Sequence, residues 1–165
     1  MSEPDEVDRI VSAWARERPD FDLAPLQVVS RIRRLSRHLE RLRRSAFAAA
    51  GLEPWEFDVL SALRRRGKPY ELSPTALAAE TMVTSGTMTN RIDRLVEREL
   101  VERRTDPSDR RSVIVAMTER GRKHVDAAME TLLASEVLIL DRLPPSEREH
   151  LEDALRRLAQ GLTGL

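Results

Sequence analysis

The stretch TSGTMTNRIDRLVERELVERRTDPSDRRSVIVAMTERG, residues 84–121, decides the fold. Its first half sets Met88, Ile92, Leu95 and Val96 on one face at helical spacing, with Thr84 or Ser85 as cap, and predicts a helix ending near Arg98. The period then changes. Residues 100–104 read as a short strand, residues 105–109 as a polar, proline-containing turn, and the alternating residues 113–117 as the returning strand. Thr118 caps a further helix. Just upstream, Ser73-Pro74 supplies an N-cap and a first-turn proline for a short helix to about Glu80, and a turn with Met82 and Val83 joins it to the helix after Thr84. Two short helices across a tight turn, followed by a hairpin, predict a winged helix-turn-helix.

Working outward, Pro54 opens a helix over residues 54–66, with Phe57, Leu60 and Leu63 inward and Gly67 as its stop. A longer helix starts near residues 22–25 and runs to Gly51, carrying Val28, Ile32, Leu35, Leu39, Leu42 and Ala46 on a heptad-like seam that calls for a long partner. Its other faces hold Arg31, Arg33, Arg34, Arg37, Arg41, Arg43 and Arg44 against a single Glu40, which reads either as a solvated face or as a surface turned to an anion. Residues 5–18 carry apolar Val7, Ile10, Val11 and Trp14 at helical spacing and predict a first helix, ended by Pro19. The helix after Thr118 runs to about Arg142, roughly 35 Å at 1.5 Å per residue, too long for so small a domain to cover. Pro144-Pro145 break it, and Ser146 caps a last helix whose inner face is Leu151, Leu155, Leu158 and Leu162. The fold class expected is mainly α with a small β-hairpin. Residues 54–117 are expected to form the winged helix-turn-helix lobe, flanked by N-terminal helices (1–53) and C-terminal helices (118–165).

Composition narrows the function. The 165 residues balance 28 basic against 28 acidic side chains and contain no cysteine, which removes disulfides, zinc–cysteine sites and thiol chemistry. His38, His124 and His150 share no i, i+4 pair, and no phosphate-cradling glycine loop or nucleophile elbow occurs, so no catalytic residue, cofactor or metal is expected. No apolar run reaches the roughly 20 residues needed to cross a bilayer. The acidic N-terminus lacks a signal-peptide pattern, and the expected location is the cytoplasm.

On the helix after Thr84, an angular reading turns Gly86, Thr87, Asn90, Asp93, Arg94 and Glu97 outward, with Thr89 and Arg91 on the flanks. Such a face is either an ordinary solvated surface or a reading head. In a helix-turn-helix the small Gly86 admits close approach, Ser85, Thr87, Thr89 and Asn90 meet base edges, and Arg94 reaches guanine or phosphate. The hairpin tip offers Arg110 and Arg111 for a minor groove, with Asp109 aiming or bracing one of them.

The quoted stretch resembles the MarR family of bacterial transcriptional regulators, through Asp106-Pro107-x-Asp109-x-Arg111, the strand after it, and Thr118-x-x-Gly121. The resemblance runs from the second helix to the C-terminus. It implies a homodimer built from the terminal helices, one winged helix-turn-helix per subunit, and a pseudo-palindromic double-stranded DNA site. Residues 14–22, WARERPDFD, are similar to the extra N-terminal helix of the branch with urate-responsive and PecS-like regulators. That finer resemblance implies an anionic or aromatic effector held by Trp14, Asp58 and Arg91. Residues 76–84 lack the arginine that the urate responders place there, which argues against urate itself. The function expected is a repressor released by such a ligand; the alternatives are a ligand-insensitive regulator of the same fold and a helical protein-interaction module.

Overall fold

Paired capping carboxylates start the chain's first helix, α1 (Glu6–Glu17): Asp5 accepts the backbone N–H groups of Val7 and Asp8 at 2.8 and 3.0 Å, and Asp8 accepts that of Asp5 at 2.8 Å. The structure, a computed structural model, describes residues 3–106 and 112–162. It falls into two compact units, residues 1–45 and 46–165. In the first, α1 lies against α2 (Ala24–Ala49) through the buried Val7. Arg31 of α2 donates to Asp5 at 2.8 Å and to Asp8 at 2.7 Å, and Arg34 pairs with Glu6. Part of the arginine run is therefore neutralised in place by the acidic face of α1. Trp14 stacks on Phe21 with ring centroids 6.4 Å apart, and the Arg18 guanidinium sits 3.7 Å over that same Phe21 ring.

These ion pairs make the clasp acid-sensitive. The Asp8 N–H, then Arg31, hold the Asp5 carboxyl below its ordinary range, and Arg34 does the same for Glu6. Depressed carboxylates stabilise the folded arrangement above their ordinary values, roughly 4, and the contribution is lost as the pH falls through the folded-state values. We expect helix content in circular dichroism to fall on acidification below about pH 4, and the Asp5→Asn, Glu6→Gln double variant to show part of that loss already at neutral pH.

The second unit contains α3 (Pro54–Arg66), β1 (Glu71–Leu72), α4 (Pro74–Glu80), α5 (Ser85–Glu97), β2 (Val101–Thr105), β3 (Val113–Met117), α6 (Glu119–Leu140) and α7 (Pro145–Leu162). Most boundaries follow the punctuation: Pro54 and Pro74 sit in first turns, and the side chains of Ser73, Thr84 and Thr118 cap α4, α5 and α6. Two details differ from the sequence reading. The hairpin β2–β3 gains a third strand, because β1 pairs antiparallel with β3 through Glu71↔Ala116 and Leu72↔Val115; two residues carry no readable period. The last helix begins at Pro145, not after a Ser146 cap, since a proline at the first helical position needs no N–H partner.

Leu60, Leu63, Leu77, Met88, Ile92, Leu95, Leu100 and Val115 are fully buried between α3, α4, α5 and the sheet, and Phe47 stacks on Phe57 at 3.9 Å. Val96, expected inside, is half-buried at the edge of this core. The turn between α2 and α3 passes through Gly51 at φ +69°. It is fastened from two sides: His124 Nδ1 donates to the Ala50 carbonyl at 2.7 Å and Arg98 to the Gly51 carbonyl at 2.7 Å.

Apolar stripes remain uncovered in both units. In the first, Val28, Ile32, Leu35 and Leu39 of α2 are exposed; in the second, so are Met129, Leu133, Val137 and Leu140 of α6 and Leu151, Leu155 and Leu158 of α7. No described side chain of α7 is buried.

Candidate nucleic-acid interface

Met88, Ile92 and Leu95 fix the rotation of α5 by burying one stripe, and the opposite stripe is left to solvent. Ser85, Gly86, Thr87, Thr89, Asn90 and Arg94 are all exposed there, as the angular reading expects. The start of the helix is tightly organised. Thr84 Oγ1 accepts the Thr87 N–H at 3.3 Å and shares a hydroxyl hydrogen bond with Thr87 at 2.9 Å, while the Thr89 hydroxyl donates to the Ser85 carbonyl at 3.0 Å. Among the described residues a Cβ at Gly86 would meet nothing within 4 Å. Packing among them therefore gives no reason for glycine, a residue that costs about 1 kcal/mol in a helix interior.

A shallow cavity of about 450 Å³ is lined by Gly86, Thr87, Asn90, Arg91, Arg94 and Trp55. The structure thus gathers five of the singled-out α5 residues in one groove and adds a tryptophan that the sequence reading did not select. Trp55 is half-buried at the start of α3, and its ring faces two guanidinium groups: Arg94 at 4.9 Å and Arg91 at 5.7 Å from the centroid. Asp58, one helical turn along α3, is exposed. Trp14 belongs to the first unit, where it is exposed and stacked on Phe21.

Ion pairs set the frame around α5. Asp93 accepts from Arg103 of β2 at 2.6 Å, tying the helix to the hairpin. Arg104 is committed to Glu71 at 2.8 Å and to Glu102, so neither strand arginine is an unengaged cation. Just beyond the helix, Arg98 pairs with Glu56, whose carboxylate is buried and also accepts the Glu53 N–H at 2.8 Å. The described edge of the hairpin closes with the Asp106 N–H donating to the Ser112 carbonyl at 3.0 Å. Asp109, Arg110 and Arg111 lie outside the described residues.

Among the described residues no cluster of metal-ligating side chains occurs and no helix is long and apolar enough to cross a membrane.

Comparison with known proteins gives one consistent assignment. A family model described as "MarR family" matches residues 50–112. The HTH-type transcriptional regulator PecS of Dickeya dadantii is 35% identical over 157 residues, covering 95% of each chain. The HTH-type transcriptional repressor NicR of Pseudomonas putida is 30% identical over 142 residues, 84% of this chain and 88% of NicR. A MarR family protein from Bacillus stearothermophilus has the same fold, with a TM-score of 0.72 at 22% identity over 83% of this chain and 94% of that one.

Proposed function

The chain belongs to the MarR family, and from that premise we propose that it is a homodimeric repressor, bound to a pseudo-palindromic operator and released by a small anionic or aromatic ligand. Regulators of this family bind DNA and are not enzymes. The observation that carries the DNA reading is the exposed stripe Ser85, Gly86, Thr87, Thr89, Asn90 and Arg94 at the start of α5, built from donors and one unfilled glycine position. Arg110 and Arg111 are the wing residues in this reading, with Asp109 as their support.

The dimer reading is supported by the uncovered stripes. Leu151, Leu155 and Leu158 follow i, i+4, i+7 spacing on a helix with no buried side chain among the described residues, and α6 repeats the pattern through Met129, Leu133, Val137 and Leu140. Contiguous apolar faces of this kind mark protein contacts, and symmetric pairing is the commonest way to cover them. Two recognition helices per dimer then meet half-sites about one helical turn apart. Leu155→Glu should give a monomer in analytical ultracentrifugation and lose operator affinity together with the dimer; a variant that stays dimeric and binds normally would remove α7 from the interface.

For the effector, the family resemblance implies Trp14, Asp58 and Arg91. A ligand shifts DNA affinity only through its different affinity for two arrangements of the protein, and Arg91 sits on the recognition helix. Arg91→Ala should blunt release by the ligand more than it weakens DNA binding. Equal loss of both would end the coupling role.

A further inference from the structure

Arg91, Arg94 and Arg98 follow i, i+3, i+7 spacing along one line of α5 and its C-cap, and two consecutive residues of α3 receive all three. Trp55 faces the guanidinium groups of Arg91 and Arg94, and Glu56 pairs with Arg98. We propose that Trp55 is a positioning residue for DNA recognition: its ring is a platform that holds Arg94, with Arg91 beside it, in the posture from which Arg94 meets the DNA. The proposal rests on the DNA-binding reading of α5 and extends it to a residue outside the helix-turn-helix.

Three features point the same way. Arg94 is exposed and on the reading stripe, so without a partner its four side-chain torsions would sample many rotamers, and fixing it on the DNA would cost affinity. The face of a tryptophan is the best aromatic surface for a guanidinium, and it restrains the planar group without consuming the hydrogen-bond donors that phosphate or guanine needs. Trp55 itself is anchored: the preceding Pro54 starts the helix, the ring packs against the core, and the adjacent Glu56 is buried in its own ion pair. A carboxylate in the same place would hold Arg94 more firmly, but it would repel the phosphates and compete for the donors. The ring avoids both penalties.

The test separates the π face from simple packing. Trp55→Phe keeps a smaller aromatic face, whereas Trp55→Leu keeps apolar bulk and loses it. Affinity is read by fluorescence anisotropy with a labelled duplex from the region upstream of the protein's own gene, against a scrambled duplex, after thermal melting has shown each variant folded. Trp55→Phe should bind within about threefold of the wild type, and Trp55→Leu should weaken specific binding roughly tenfold. In an Arg94→Ala background the Trp55→Leu change should have little further effect, because the platform then has nothing to position. Equal binding by the Phe and Leu variants, or independent losses that multiply in the double variant, would overturn the platform. Equal weak binding of both duplexes by the unmodified protein is a different result: it would overturn the DNA reading, and the platform with it.

Discussion

Gly121→Ala is expected to destabilise the protein by about 3 kcal/mol, at the upper end of the usual range for overpacking a tight site. A Cβ built at Gly121 would lie 2.1 Å from the Leu100 carbonyl oxygen, 3.0 Å from its carbon and 3.1 Å from Met117 Cγ. The first of these is a backbone atom that cannot swing aside. Leu100 is fully buried, and its carbonyl accepts both the Thr118 N–H at 3.2 Å and the Thr118 hydroxyl at 3.1 Å. Thr118 also caps α6, accepting the Gly121 N–H at 3.0 Å. The Thr118-x-x-Gly121 spacing is thus one device: the threonine closes the helix start onto the end of the α5–β2 turn, and the glycine makes room for the carbonyl that receives it. Denaturant titration should show a lower midpoint with an unchanged slope; a loss under 1 kcal/mol would mean that α6 can slide away from Leu100 at little cost.

Arg98→Ala is expected to cost about 2–3 kcal/mol, discounted from the usual figure for breaking a buried ion pair because Arg98 is itself part-exposed. The asymmetry lies in what is left behind. Glu56 is 1% exposed, and without Arg98 its carboxylate keeps, among the described residues, only the Glu53 N–H as a partner. The Gly51 carbonyl loses a donor in the same step. Converting the stranded acid to an amide should recover part of the loss, so the Glu56→Gln, Arg98→Ala double variant should be more stable than Arg98→Ala alone. Thermal melts of the two variants side by side decide it; a double variant less stable than the single one would mean that the Glu56 charge is satisfied without Arg98.

Local punctuation made the helices legible. Pro54, Pro74, Thr84 and Thr118 each mark a helix start through chemistry confined to a few neighbouring residues, and the structure starts α3, α4, α5 and α6 there. The stripe of α5 was legible too, because burying Met88, Ile92 and Leu95 leaves no freedom in where Thr87, Asn90 and Arg94 point. Contacts between distant elements were not. Arg98 and Glu56 stand 42 residues apart, and nothing in either neighbourhood foretells the pair. Trp55 reads as one more apolar residue of α3 until the crossing of α3 and α5 brings its ring to Arg91 and Arg94. Strand β1 escaped because two residues cannot show an alternation. On α7 the periodicity reads Leu151, Leu155 and Leu158 as an inner face, yet all three are exposed, because a period records that a face is apolar and not which surface covers it.

Everything proposed for this chain rests on specific DNA recognition by the α5 stripe. Its most direct test is an anisotropy titration of the intact protein against the duplex upstream of its own gene and against a scrambled duplex, repeated at several salt concentrations. Specific binding that saturates at two protomers per site and falls steeply with salt, as expected when arginines displace phosphate counterions, is the predicted result. Equal binding to both duplexes, or an affinity indifferent to salt, would contradict it.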